Sequence, residues 1–304
     1  MNRFFTSRRK RGLTELLFLV PTVFAFLMVI IIPFVYGIAY SFTNWDGLRM
    51  PTRFLGFENY AFIFKEPAFL HAALMTVQYT VLNVIAVNVV AFFLSLLVTS
   101  PNVRGRNLYR AGFFVPNLIG GIVLGAIWKF VFNNVLPSAG QALGIASLTR
   151  SMLSSNSSVI WTLVIVNTWQ YAGYIMMIYV AAIQGVSDSL LEAAEVDGAN
   201  YWVRVRKILM PMMASAFTIS LFLTLTTSFK MYDVNVSLTN GGPAGLFMMK
   251  PTNMSELLAM NIYQTANRFG NTAQGQAKAV VFFVVLVVVS LVQVTYNKRK
   301  EVEL

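Results

Sequence analysis

The sequence predicts an all-α polytopic membrane protein with six transmembrane helices. Three observations carry that expectation: the composition, the lengths of the apolar runs, and the placement of basic residues between them. The 304 residues are 57% hydrophobic and only 12% charged, with a mean hydropathy of +0.64. A soluble domain carries about 25% charged residues, so there is too little polar surface here for water to be the main solvent. Six apolar runs are long enough to cross about 30 Å of hydrocarbon at about 1.5 Å per helical residue. They are Leu13–Tyr40, Leu74–Thr99, Ala111–Phe132, Val159–Gln184, Ile208–Phe229 and Ala279–Tyr296.

The first run follows Arg8, Arg9, Lys10 and Arg11, as a signal peptide would. It is longer than a signal h-region and no small-residue cleavage site follows it, which predicts a retained helix. Pro21 and Pro33 are expected to kink it. The third run is interrupted by Pro116, Gly120, Gly121 and Gly125, residues tolerated in a span where neighbouring helices cover the backbone. The chain reads as a single transmembrane domain over 1–304, with its core at about 74–296 and no internal repeat.

Basic residues cluster at Arg3 to Arg11, at Arg104, Arg106 and Arg110, at Arg204, Arg206 and Lys207, and at Lys298 to Lys300. In a six-span chain these four segments share one side, so the net charge of +11 fits the positive-inside rule rather than a nucleic-acid surface. Both termini are therefore expected in the cytoplasm. The opposite loops, at about 43–73, 133–158 and 230–278, are too long for tight turns. They can hold short surface helices, whose positions the pattern does not reveal.

There is no cysteine and one histidine, His71. Disulfides, thiolate metal sites and cysteine nucleophiles are excluded, and little remains for acid–base catalysis. His71 reads as a surface residue of an outer loop. Glu15 and Lys129 lie near span ends, and Lys230 and Asp233 follow the fifth run. No carboxylate falls at mid-membrane, where ion-coupled carriers place one. That argues for an energy source outside the chain and against a secondary carrier. An integral-membrane enzyme would need clustered Asp, His or Arg at one face. The acidic residues between Asp188 and Asp197 have no histidine nearby.

Those acidic residues belong to a cytoplasmic segment, about 187–207. Ser189 and Glu192 have capping-box spacing, predicting a short helix that starts near Leu190. Gly198 can end it in the left-handed region. Leu190, Leu191, Ala193, Ala194 and Val196 give it an apolar surface. A helix this short is marginal alone and needs a partner surface, whether its own bundle or another chain.

Glu192-Ala193-Ala194, then Gly198, Ile208 and Pro211 at their spacings, resemble the EAA signature of binding-protein-dependent ABC importer permeases. Met210 stands where that family usually has leucine. Asn167-Thr168-Trp169 and Leu238-Thr239-Asn240-Gly241-Gly242-Pro243 resemble its carbohydrate-uptake branch, the maltose-type permeases. The resemblance implies a type I ABC importer transmembrane domain in a bacterial plasma membrane. It implies that Glu192, Ala193, Ala194 and Gly198 couple the chain to a cytoplasmic ATPase. It also implies a second permease subunit, usually a different chain, two copies of the ATPase and an extracytoplasmic solute-binding protein. ATP and magnesium would reside in the ATPase subunits, leaving this chain with no catalytic residue, cofactor or metal.

Two polar stripes have helical spacing: Asn167, Gln170, Tyr171 and Tyr174 in the fourth run, and Thr224, Thr227, Ser228 and Met231 at the end of the fifth. From spacing alone they fit interhelical hydrogen bonds as readily as a ligand site. In the maltose-type family these helix segments line the sugar site, and uncharged donors and acceptors suit a polyhydroxylated ligand. The resemblance thus implies a sugar or oligosaccharide. The alternatives within the same family are a glycerol phosphate, a sialic acid or a polyamine. Lys230 could pair with an acidic sugar. Asn83, Asn88, Trp128, Trp161 and Trp169 read as packing residues or interfacial anchors.

Overall fold

A computed structural model describes residues 17–100 and 103–298. The basic residues Arg3 to Arg11, together with Glu15, Arg299 and Lys300, lie outside the described residues. In chain order the helices are α1 (Leu17–Ser41), α2 (Glu58–Ile63), α3 (Pro67–Thr99), α4 (Arg106–Phe114), α5 (Gly121–Leu143), α6 (Val159–Gln184), α7 (Asp188–Val196), α8 (Tyr201–Met212), α9 (Ala214–Phe229), α10 (Asp233–Leu238), α11 (Leu258–Tyr263) and α12 (Thr272–Lys298). Strands β1 (Ala244–Phe247) and β2 (Lys250–Asn253) form an antiparallel hairpin between α10 and α11. Among the described residues α1, α3, α5, α6 and α12 are each long and apolar enough to cross a membrane. The pair α8 and α9 makes a sixth span if counted as one, with a 72° bend between its arms.

Two of the expected spans are corrected. The third begins at Gly121 and runs to Leu143, where Ala111–Phe132 was expected. Pro116 turns the chain into a 3₁₀ segment, Val115–Leu118, and Ile119 and Gly120 are extended. A prolyl nitrogen cannot donate to the helix, so the helix stops before it and restarts after Gly120. The fifth expected span, Ile208–Phe229, is broken at Met213, whose φ of −89° and ψ of 9° leave the helical region.

Prolines also explain three local widenings. The π-helical turns Leu27–Ile31, Val131–Val135 and Val205–Leu209 each end two residues before Pro33, Pro137 or Pro211. The carbonyl four residues before each proline, on Val29, Asn133 or Lys207, falls inside the π turn. Proline can neither bond nor comfortably approach that carbonyl, and an i to i+5 turn opens the room it needs.

The described residues pack as two compact units, 17–63 with Ile262–Val281, and those of Phe64–Asn261 with 282–298. In the first unit, α1 exposes most of its large apolar side chains, including Phe18 and Val29, and so requires lipid or another chain around it. Beyond α1, Asn59 donates its amide to the carbonyls of Ser41 and Thr43, at 2.8 and 2.9 Å. Phe42 packs against Phe54, Phe57 and Tyr60. The start of α12 is tied to this loop by the Ala273 N–H on the Trp45 carbonyl.

In the second unit, α3 packs along α6, α9 along α3, and α10 on α5. An apolar cluster around Val87, Ala91, Ile175, Met176, Tyr179 and Met213 fills the α3–α6–α9 interface. A second, around Leu124, Phe132, Leu163, Val166 and Leu238, joins α5, α6 and α10. The α3 helix is 33 residues long, about 50 Å, so part of it extends beyond the hydrocarbon. It starts at Pro67 rather than near Leu74 because proline is well placed in a first helical turn. This corrects His71, which is 8% exposed and sets its ring edge-on to Phe247 of β1, with centroids 5.1 Å apart.

The segment after α9 is a folded cap rather than a loop. Leu238–Pro243 forms a tight turn in which Asn240 and Gly241 have φ of 50° and 82°. Asparagine and glycine tolerate that left-handed backbone better than other residues. Buried Asn235 donates to the Ser255 carbonyl, and Ser255 Oγ donates to the Gly242 carbonyl. The buried Glu256 carboxylate accepts from the amides of Asn253 and Asn261.

Glycines set two of the closest helix contacts. A Cβ at Gly125 would lie 1.8 Å from Ser237 Oγ, and one at Gly173 would lie 1.8 Å from the Phe113 carbonyl oxygen. Small residues let backbones approach in a membrane, where helix association depends on packing. Gly173→Ala should therefore cost about 1–3 kcal/mol through overpacking, read as a lower melting temperature of the detergent-solubilised protein. Gly112→Ala, at a glycine with nothing within 4 Å of the added atom, should leave the melting temperature unchanged.

Candidate functional site: a polar cavity and a surface helix

The break before α5 and the end of α9 together open a cavity of about 400 Å³ in the second unit. The α6 helix contributes Asn167, Gln170 and Tyr171. The end of α9 and the start of α10 contribute Thr227, Lys230, Met231, Tyr232, Asp233 and Val234, and Gly121 closes the side at α5. A Cβ at Gly121 would lie 2.7 Å from the Asp233 Cβ, so only glycine allows α10 this close.

Five of the eight residues expected to touch a ligand border this cavity: Asn167, Gln170, Tyr171, Thr227 and Met231. Three of them are held from behind by hydrogen bonds. The Ile119 carbonyl, orphaned by the extended break, accepts the Gln170 amide at 2.9 Å. Asn167 Oδ1 accepts from Asn83 Nδ2 at 2.8 Å. Thr227 Oγ1 donates to the Leu223 carbonyl at 2.8 Å.

The other three sit elsewhere. Tyr174 packs on the apolar cluster between α3, α6 and α9. Ser228 is buried and accepts the second proton of the Asn83 amide at 2.8 Å. Thr224 is buried, donates to the Ser220 carbonyl, and accepts the Asn88 amide at 2.9 Å. Asn88 Oδ1 in turn accepts from the Tyr179 hydroxyl, which also bonds Ser220. Helical spacing places Thr224, Thr227 and Ser228 within one turn of each other. It does not tell which of them points toward a neighbouring helix.

Helical spacing does not single out Lys230 and Asp233, which lie outside the two polar stripes. Both border the cavity, and they form no ion pair with each other. Tyr79 and Asn83 on α3 carry further buried polar atoms near it. The Tyr79 hydroxyl and Asn83 Oδ1 have no hydrogen-bond partner. A polar side chain within an otherwise apolar run was the available signal for Asn83.

The second predicted element is α7. It begins at Asp188, two residues before the expected start, with Ser187 extended at the N-cap position. The Ser189–Glu192 capping box does not form, because Ser189 lies inside the first turn. Asp188 in that turn instead complements the positive end of the helix dipole. The far end is as expected. Gly198 has φ of 83°, its N–H reaches the Glu195 carbonyl, and the Ala199 N–H reaches the Ala194 carbonyl, the two bonds of a Schellman motif. Asn200 then caps α8 by accepting from the Val203 N–H at 3.0 Å.

No residue of α7 is buried. Leu191 turns back onto the apolar cluster, and Glu195 pairs with Arg204 at 2.6 Å, a partly exposed bridge worth at most about 1 kcal/mol. Glu192 and Ala193 are exposed, Ala194 is half-buried, and Val196 is 88% exposed. A short helix with both ends fixed thus presents an acidic and apolar surface on the loop between two spans.

Comparison with known proteins agrees with this architecture. Residues 88–302 match the family described as binding-protein-dependent transport system inner membrane component. A probable starch degradation products transport system permease protein of Thermoanaerobacterium thermosulfurigenes is 40% identical over 97% of each chain. A multiple sugar-binding transport system permease protein of Streptococcus mutans is 28% identical over 89% of this chain and 90% of its own. Among solved structures, a bacterial ABC transporter involved in the import of the acidic polysaccharide alginate has a subunit that superposes with a TM-score of 0.81. That match covers 98% of this chain and 99% of the other, at 19% identity, and so speaks to the fold.

Gly198→Ala should loosen the end of α7, since alanine resists positive φ and the cost is about 1 kcal/mol. Amide exchange of residues 188–199 should quicken severalfold while exchange in α3 and α6 stays unchanged.

Proposed function

Because the chain belongs to the family of binding-protein-dependent transport system inner membrane components, we propose that it is the permease subunit of an ATP-driven importer for a sugar or oligosaccharide. The observation that carries the cargo class is the cavity between α5, α6, α9 and α10. Its polar lining is mostly amide and hydroxyl groups, which both donate and accept hydrogen bonds. Its two charged residues, Lys230 and Asp233, have opposite signs, so the rim has no net charge. That favours a neutral polyol over an anion such as a glycerol phosphate or a cation such as a polyamine. The names of the two relatives, for starch degradation products and multiple sugars, support the same class.

Gln170, Asn167 and Thr227 hydrogen-bond sugar hydroxyls, and the Tyr171 ring offers a flat apolar face to a pyranose. Holding Gln170 on the Ile119 carbonyl and Asn167 on Asn83 fixes their orientation before cargo arrives, which lowers the ordering cost of binding. Binding must stay weak enough for release, so a few bonds of about 0.5–1.5 kcal/mol each suffice.

In this reading α7 is the contact to a separate ATPase subunit, with Glu192, Ala193 and Ala194 at its surface and Gly198 fixing its end. Two copies of that ATPase, holding ATP and magnesium, close on nucleotide and move α7. The movement is transmitted through α8 and the 72° bend to α9, whose far end borders the cavity. A second permease subunit and an extracytoplasmic solute-binding protein complete the importer. The loops bearing Arg104 to Arg110 and Arg204 to Lys207 lie in the cytoplasm with both termini, as the positive-inside rule requires. No residue of this chain is assigned a catalytic role.

Glu192→Lys should leave membrane insertion intact and reduce cargo-stimulated ATP hydrolysis at least tenfold in proteoliposomes holding the whole importer. Normal stimulation would return Glu192 to a solvent-facing role. Tyr171→Ala should raise the cargo concentration for half-maximal uptake about tenfold, a change of about 1.4 kcal/mol, with basal ATP hydrolysis preserved. An unchanged concentration dependence would assign the cavity to packing.

A further inference from the structure

The bend between α8 and α9 creates a second recess in the same unit, of about 650 Å³. Its walls are apolar: Phe92 and Phe93 from α3, and Phe217 and Leu221 from α9. Trp202 and Arg206 of α8 and Asn297 of α12 border it, and Thr218 of α9, whose hydroxyl donates to the Ala214 carbonyl, is the other polar side chain of the lining. Trp202 is 61% exposed. An exposed tryptophan beside an arginine, at the end of an apolar wall, is the arrangement found at membrane–water interfaces.

Arg206 differs from its neighbour Arg204. The Arg204 guanidinium is committed to Glu195, whereas Arg206 has no ion pair among the described residues and is exposed. Its planar fork of N–H donors matches a phosphate. Lys207 follows it, and Lys298 lies next to Asn297, so the surrounding potential is positive and selects for an anion. From Ala214 to Leu221 the α9 wall rises about 10 Å, well within the ~15 Å depth of one leaflet's hydrocarbon. A phosphate at the mouth and a hydrocarbon chain along the wall satisfy both ends at once. A bare phosphate would leave the aromatic wall unfilled, and a purely apolar helix would leave Arg206 without a counter-charge.

We propose that this recess binds one anionic phospholipid from the leaflet that faces the basic loops, with its phosphate on Arg206 and one acyl chain against Phe92, Phe93, Phe217 and Leu221. The site is separate from the cargo cavity and stands whether or not the cargo is a sugar.

Native mass spectrometry of the intact importer, purified with its partner subunits and titrated with phosphatidylglycerol or phosphatidylcholine of the same chains, tests it. One phosphatidylglycerol should be retained per copy of this chain, about tenfold more tightly than phosphatidylcholine. Arg206→Gln, a surface change that leaves the fold intact, should abolish that preference. Leu221→Trp should weaken retention of both lipids by filling the wall. A phosphatidylglycerol with a photoactivatable tail should label peptides containing Phe92, Phe93 or Leu221. Equal retention of the two lipids, unaltered by Arg206→Gln, would overturn the proposal. So would a tail label absent from those peptides while Leu221→Cys cross-links to the second permease, because the recess would then hold protein. Neither readout uses transport, so failure here leaves the cavity assignment standing, and failed uptake in Tyr171→Ala leaves this one standing.

Discussion

The Asn83 amide, shared between Asn167 and Ser228, is the contact on which the second unit depends most. It joins three spans, α3, α6 and α9, at one buried point. In lipid there is no water to take over an amide's hydrogen bonds, so a polar group on an apolar helix has to find its partners on neighbouring helices. A second such point, Asn88 with Thr224 and Tyr179, lies further along the same interface. Each bond contributes only about 0.6 kcal/mol on average in membrane proteins. What the pair supplies is register, because sliding or rotating one helix would leave two amides unsatisfied together.

That register explains how the cavity can be polar without collapsing. Asn167 and Gln170 are held by Asn83 and by the Ile119 carbonyl, Thr227 by the Leu223 carbonyl, and Met231 and Val234 by the apolar cluster behind them. The carbonyl exists as an acceptor because Pro116 and Gly120 break the helix before α5. A defect in one element thus becomes the support for a side chain of another. The glycines work in the same way. Gly121 and Gly125 bring α10 against α5, which sets Asp233 on the cavity rim, and Gly173 brings the α4 end onto α6.

Proline provides the other recurring device. Three π turns precede Pro33, Pro137 and Pro211, and the last lies in α8 just before the 72° bend. Through that bend the exposed α7 is connected to α9 and so to the cavity. The exposed helix and the cavity are linked by a jointed helix with known breaks, a structure suited to passing a rigid-body movement from one to the other.

The apolar runs, the absence of mid-membrane carboxylates, the Gly198 helix stop and the family motif around Glu192 were all legible in the amino-acid order. Hydropathy, helix length and left-handed backbone preference are local properties, each read from a few neighbouring residues. The start of α7 lies two residues before the expected one because Ser187 and Ser189 are equally good caps by composition. The third and fifth spans depart from the expected bounds because the effect of a proline depends on whether neighbouring helices satisfy the carbonyl it frees. Of the polar stripes, five residues reached the cavity, and Tyr174, Thr224 and Ser228 turned to interhelical contacts. Lys230 and Asp233 came to the rim only through the close approach of α10. Periodicity orients a side chain about its own helix axis. Which neighbour stands there, whether an asparagine, a glycine's open face or a cavity, is decided by the packing of helices distant in sequence.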